Sequence, residues 1–471
     1  MISAIVKLSE LYRHLRIDAE YYKPEYLALE IALSKRGNLY PLRKYCSYIK
    51  KGIFDISPDL YTNSGVPLIR TSEIKNPLTN FTTTVYLDEK THQEHYKTEL
   101  HPNDIVITKI GAYIGDVAIL PSKHPMYNFS QNVTGLSIKQ ISINSCYLFA
   151  FLMSQYGKSQ IKRVIMLSGQ GKIELEDIKD LTVYEASKTL QDKIGEAVTL
   201  SQDLIEESET VFSQAERFLL SELGLLDWRP GHCLSFVKNY SDAAQAQRID
   251  AEYFQPKYEQ IVNAVKSYKG GWDTLGNLVS VKKCVEVGSG EYLDEGIPFI
   301  RVSNLSPFEI TEEKYISEKL YSELTQHQPK QGEILFSKDA TPGIAYYLKE
   351  KPAKMIPSGG ILRLKLKDKR VNEDYLTLVL NSLIVKEQIN RDVGGSVILH
   401  WRPDQVKETL IPLLHEDIQS RIRQKIDESF ALRRKSKHLL ACAKQAVETA
   451  IERDEKIAMK WMKQQAEKLK I

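Results

Sequence analysis

The sequence predicts an α+β protein made of two pseudo-repeated mixed domains joined by long antiparallel coiled-coil-like helices. Three observations carry this expectation: a repeat with a period near 230 residues, mixed strand and helix signals inside each copy, and a heptad-like stripe closing each copy. A period this long means two copies of a whole domain, since solenoid units run only about 20–50 residues.

The repeat is collinear. Arg16-Ile17-Asp18-Ala19-Glu20-Tyr21-Tyr22 returns as Arg248-Ile249-Asp250-Ala251-Glu252-Tyr253-Phe254, an offset of 232. Gly65-Val66-Pro67-Leu68-Ile69-Arg70 returns as Gly296-Ile297-Pro298-Phe299-Ile300-Arg301 at 231, and Asp104–Lys109 as Glu333–Lys338 at 229. Gln191 and Ile194 match Gln419 and Ile422 at 228. A slowly falling offset is what a duplication with a few small deletions leaves.

Inside each copy, Asp104–Thr108 and Ile361–Leu366 are short β-rich runs bounded by glycine and proline, the pattern of strands joined by turns. Tyr147–Gln155 and Tyr375–Leu383 read as helices. From Gln191 to Leu223 there is no proline and one glycine, Gly195. Ile194, Val198, Ser201, Ile205, Ser208, Phe212, Ala215 and Leu219 form a stripe in alternating steps of four and three. Ile422, Ile426, Ser429, Leu432, Ser436, Leu439, Ala443, Ala446 and Ala450 continue the same rhythm in the second copy. Residues 188–226 carry three basic side chains against eight acidic, and residues 416–471 carry 14 against nine. Opposite charge favours pairing these two helices with each other.

Lys and Arg total 64 against 61 Asp and Glu in 471 residues, a net +3 that excludes a uniformly polybasic coat. Any nucleic-acid contact must therefore come from locally focused cations. No apolar run is long enough for a bilayer and no secretory signal is visible, so a cytoplasmic protein without membrane contact is expected. The five cysteines are widely spaced and read as buried free thiols. No phosphate loop, zinc helix, dinucleotide fingerprint or nucleophile elbow occurs. His92 and His95 bracket Glu94 one residue short of the zinc spacing and read as surface residues. No catalytic residue, metal ligand or cofactor is assigned, and a binding protein is favoured. A DNA enzyme with dispersed catalytic residues and a protein-binding scaffold are the alternatives.

The duplicated starts, the Gly-x-Pro-x-Ile-Arg strands, the Asp104–Lys109 and Glu333–Lys338 strands, and Ile411-Pro412-Leu413-Leu414 through Gln419 and Ile422 together resemble the specificity subunit of type I restriction–modification enzymes. Leu181-Thr182-Val183-Tyr184 through Gln191 keeps the glutamine of that last segment and loses its prolines. The resemblance covers essentially the whole chain. It implies two target recognition domains, each reading half of a split site in double-stranded DNA, held apart by paired helices. It also implies a chain that makes no bonds itself and directs adenine methylation or cleavage by two methylating (M) subunits and by restriction (R) subunits. A specificity subunit of another restriction or phage-defence system is the close variant.

The expected boundaries are 1–187 for the first recognition domain, 188–226 for its spacer helix and 227–247 for a linker and the start of the second repeat. The second domain is expected at 248–415 and the second spacer helix at 416–471. A helix of ~35 residues spans about 50 Å at about 1.5 Å per residue, enough to set two readers on successive turns of B-DNA. Lys109 and Lys338 match at strand ends beside turns, and Arg70 and Arg301 also match, so all four are candidate DNA contacts for tasks common to both halves. Gln170, Lys172, His400 and Arg402 differ between copies and are candidates for reading different half-sites.

Overall fold

The computed structural model describes residues 5–6, 16–75, 77–78, 84–166, 171–393 and 400–469. It divides into two compact units, Met1–Glu207 with Leu432–Ile471, and Ser208–Ala431. No helix among the described residues is long and apolar enough to cross a membrane.

In the first unit the main sheet is antiparallel, in the order Cys46–Lys51, Val133–Ile138, Ile105–Thr108, Val117–Ile119. In the second unit the same order appears as Val279–Lys283, Ile361–Leu366, Glu333–Ser337, Ala345–Tyr347. The Gly-x-Pro segments form Val66–Ile69 and Ile297–Ile300, each with one antiparallel neighbour and one parallel one. Gly65 and Gly296 precede them at φ +124° and +135°. A Cβ there would strike the carbonyl oxygens of Leu87 and Ile316, so glycine is required twice for one reason. A third ribbon pairs Leu39–Pro41 with Thr182–Tyr184, and Trp272–Thr274 with Leu410–Pro412. The proline-free segment of the first copy thus forms the same strand as its proline-bearing counterpart.

The two helical stretches are real but end early. Ser145–Met153 stops at Ser154 and a second helix, Gln155–Arg163, begins there. Glu373–Asn381 stops at Ser382 before Leu383–Val393. Both breaks are serines in extended backbone, and the Ser154 hydroxyl caps the next helix at Gly157 N–H. Helical periodicity runs straight through such a corner, because both helices bury a face.

Long helices occupy Lys188–Glu222 and Glu416–Glu452. The stretch expected as one spacer helix to residue 471 is two, since a turn at Arg453–Asp454 separates off Glu455–Leu469. The repeated glutamines tie each long helix to its own domain. Gln191 Oε1 accepts from Asn144 N–H and Gln419 Oε1 from Asn372 N–H, both at 3.0 Å. Asn144 and Asn372 in turn cap the helices that follow them. The Asn144 amide lies where a Cβ on Gly195 would be, which accounts for the lone glycine in that helix.

Within each unit the two long helices run antiparallel. In the first, Glu455 accepts from Ser187 N–H, while the fully buried Ser201 and Ser436 exchange hydrogen bonds onto each other's carbonyls at 2.9 and 2.7 Å. In the second, Ser208 and Ser429 meet at 3.0 Å between hydroxyls, and Arg421 lies over the Phe218 ring. Small residues allow the close approach, and each buried hydroxyl finds its acceptor on the opposite helix.

One matched place has diverged completely. In the second unit Glu333 and Arg363, 1 % and 2 % exposed, form a two-point ion pair at 2.8 and 3.1 Å. In the first unit Asp104 stands at the Glu333 position and accepts from the backbone of His101 and Ile138. The arginine position is Gly135, covered by the Phe129 ring. Two solutions to one buried carboxylate coexist in one chain.

Candidate nucleic-acid interface

The strands Ile105–Thr108 and Glu333–Ser337 are buried along their whole length and end on Lys109 and Lys338. In the first unit the chain then turns through Gly111 and Gly115, both at positive φ. Lys109 N–H donates to Asn132 O at 2.8 Å and its carbonyl accepts from Ile173 N–H at 3.1 Å. In the second unit Lys338 N–H donates to Gly360 O, and its carbonyl accepts from Trp401 N–H, both at 2.9 Å. The next residues bridge likewise, Ile110 with Lys172 and Asp339 with His400. Lys109 and Lys172 are thereby brought together, as are Lys338 and His400.

The side chains on these equal frames differ. Lys109 is 8 % exposed, and no hydrogen bond or ion pair reaches its ammonium from the described residues. Burial, and then Lys51 and Lys172, hold its pKa below the usual lysine range, with Glu174 opposing. Lys172 pairs with Glu174 at 2.6 Å, and this bond above all lowers the Glu174 pKa. Lys338 is instead paired with Asp339, whose other oxygen meets His400 Nδ1 at 2.9 Å. Arg402 is exposed, lies 3.3 Å from Asp404, and precedes the short helix Pro403–Lys407. Gln170 lies outside the described residues.

Arg70 and Arg301 occupy matched places, each paired with a carboxylate of its own unit. Arg70 N–H donates to Glu73, and its guanidinium pairs with the same carboxylate at 3.0 Å. Arg301 N–H donates to Asn304 and its guanidinium pairs with Glu313 at 2.7 Å. Both arginines are part-buried and hold the turn after the Gly-x-Pro strand.

Lys51 was overlooked, although Lys50-Lys51 and Lys282-Lys283 are identical dipeptides 232 residues apart. Both pairs end edge strands of the main sheets and are exposed. Register places Lys51 opposite Thr134 beside Ile107, and Lys283 opposite Leu362 beside Phe336.

His92 is fully buried, contrary to the surface reading. Its Nε2 meets Glu99 and its Nδ1 meets Asn128, at 3.0 and 3.1 Å, inside the fold. Cys46, Cys146 and Cys442 are buried as expected, but Cys233 is exposed and Cys284 half-buried. Among the described residues no group of His, Cys, Asp and Glu is arranged to hold a metal ion.

The family model for the type I restriction modification DNA specificity domain matches twice, over residues 43–207 and 271–438, which is well over half of the chain. The chain belongs to this family. Each match contains one strand-end lysine, Lys109 or Lys338, and the bridge that follows it, Ile110 with Lys172 or Asp339 with His400. No curated relative matches the specificity protein in sequence. It matches the type I S subunit from M. genitalium at 13 % identity and TM-score 0.36, covering 88 % of this chain and 94 % of that one. The HsdS subunit from Thermoanaerobacter tengcongensis matches at 14 % identity and TM-score 0.29, covering 88 % and 96 %. A chain from a study of type I complex assembly and conformational transition matches at 14 % and 0.29, covering 88 % and 97 %.

Proposed function

We propose that each unit reads one half of a split double-stranded DNA site with the surface around its strand-end lysine. On this reading residues 1–187 and 248–415 are the recognition domains, and the helices of 188–226 and 416–471 space them. The chain makes no covalent bond itself and works in the cytoplasm, directing two methylating subunits and the restriction subunits to the site.

The observation that carries the proposal is Lys109, a largely buried side chain whose ammonium meets no hydrogen-bond or ion-pair partner among the described residues and feels the charges of Lys51 and Lys172. Lys109, Lys51 and Lys172, offset in part by Glu174, provide a local positive focus that a net charge of +3 otherwise lacks. A phosphate oxygen supplies the missing acceptor. Footprinting of the chain with its methylating subunits should protect two short stretches separated by a constant gap. One continuous unsplit footprint would overturn the proposal.

Lys109→Met makes a second, two-sided test. Binding should weaken alike on every sequence, and the slope of log affinity against log salt should fall by about one. Stability should move the other way. A lysine whose folded pKa is depressed penalises the fold while it is charged, so the penalty is present at neutral pH and relaxes only as pH rises toward the ordinary lysine value. Its removal should raise the thermal midpoint by about 2–4 °C per kcal/mol relieved. A lower midpoint with an unchanged salt slope would show a structural lysine instead.

A further inference from the structure

The duplication allows shared and divergent chemistry to be compared on one backbone frame. Lys172 and His400 are 228 residues apart and immediately precede Ile173 and Trp401, the residues that donate to the strand-end lysine carbonyls. Ile173 and Trp401 are both 1 % exposed, and Trp401 is fixed by Phe336 and by an indole bond to Asp392. Each anchor therefore carries its neighbour out of a rigid core. The side chains of Lys172 and His400 emerge 46 % and 67 % exposed.

Around this point the chain keeps a lysine at 109 and 338, and a hydroxyl residue at 108 and 337. It varies Ile110 against Asp339, Lys172 against His400, and Glu174 against Arg402. Phosphate is the same in both halves of any site, so the retained lysines suit it. A rigid, exposed position whose chemistry changes between copies suits the part of DNA that differs, the base edges.

The hydrogen-bond polarity of the two side chains is opposite. A lysine ammonium only donates, so at a major-groove edge it selects guanine O6 and N7 or thymine O4. His400 Nδ1 faces Asp339 Oδ1 at 2.9 Å. A carboxylate only accepts, which assigns a proton to Nδ1 and leaves Nε2 as the ring atom free to accept from a base. Such an acceptor selects the amino groups of adenine N6 or cytosine N4. The first unit has no equivalent of Asp339, since Ile110 stands there.

We infer that Lys172 and His400 are matched base-reading residues of opposite sense, Lys172 selecting a keto-bearing base in one half-site and His400 an amino-bearing base in the other. This rests on the half-site reading above and names what each unit discriminates.

The test is selection from a randomised duplex library by the full chain assembled with its methylating subunits, followed by sequencing. A wild-type selection that returned no split motif would overturn the half-site reading itself, separately from the residue assignment. Given a split motif, Lys172→Met should relax one position of one half by roughly ten-fold in preference. Lys172→Arg should retain the keto preference, and the other half should not change in either variant. His400→Phe should relax one position of the opposite half, while His400→Lys should turn its preference from amino to keto. Ile110→Asp with Lys172→His should carry the amino preference into the first unit. Uniform weakening with an unchanged motif would mark these residues as phosphate contacts and overturn the assignment. So would wild-type selection by Lys172→Met and His400→Phe, or equal loss of preference in Lys172→Arg and Lys172→Met.

Discussion

Arg363→Met is expected to destabilise the unit Ser208–Ala431 by about 3–5 kcal/mol, because it leaves a buried carboxylate without its counter-charge. At about 2–4 °C per kcal/mol for a unit of this size, the thermal midpoint should fall by roughly 6–20 °C. Among the described residues Glu333 would keep the backbone N–H of Lys330, and the carbonyl of Gln326 would lose the arginine as donor. Replacing both partners, Glu333→Leu with Arg363→Met, should recover much of the loss, since desolvation of the pair offsets most of its attraction. Calorimetry of the two variants decides it. A single-variant shift of under about 2 °C would mean that the pair contributes little. The acid response has opposite signs in the two units. Burial alone would raise the Glu333 pKa, but the hydrogen bond and charge of Arg363, with the Lys330 N–H and Lys282, together hold the group below its usual range. Its contribution is therefore present above the ordinary glutamate pKa and is lost as pH falls through the depressed folded value. Burial raises the Asp104 pKa despite two backbone N–H partners, so its penalty is present at neutral pH and is relieved as acid protonates it.

How much of this was legible in the sequence depended on whether a contact was local or duplicated. The offsets of 232 to 228 exposed the two copies, and the main sheets repeat strand for strand, while the sheet of the Gly-x-Pro strands has four strands in the first unit and three in the second. Ile361–Leu366 is legible to the residue, because a β-rich run follows Pro357, Gly359 and Gly360. The corners at Ser154 and Ser382 were not legible, since apolar spacing continues across them. Arg70 and Arg301 match between the copies, and the fold adds what the match could not show, that Glu73 and Glu313 pair with them at unequal spacings of three and twelve residues. Repetition marks shared tasks without saying whether the task is binding or bracing. The Asp339–His400 contact joins residues 61 apart, and only the fold reveals it. Lys51 and Lys283 are legible in the sequence as well, since a repeated Lys-Lys at a strand end carries the same signal as Lys109 and Lys338.

The largest expected change of specificity comes from lengthening both long helices together. Ser201 and Ser208 are seven residues apart, as are Ser429 and Ser436, and each serine bonds its counterpart on the opposite helix within its unit. An insertion of four residues in one helix, the simplest way to move a spacer, would leave a serine without its partner. It would also turn the following residues by about 40° beyond a whole turn. Seven residues inserted between Ser201 and Ser208, with seven more between Ser429 and Ser436, keep both serine pairs and the heptad phase. Each helix grows by about 10 Å at about 1.5 Å per residue, close to three base pairs at about 3.4 Å each. If the helices set the gap, the complex should select a split site with two unchanged half-sites and about three more unread base pairs between them. The same library selection measures this directly. An unchanged gap with intact binding would refute the spacer role of the helices. A variant lengthened in only one helix should lose binding or stability, because its serines no longer meet, and wild-type behaviour from it would show that the seam does not fix the register.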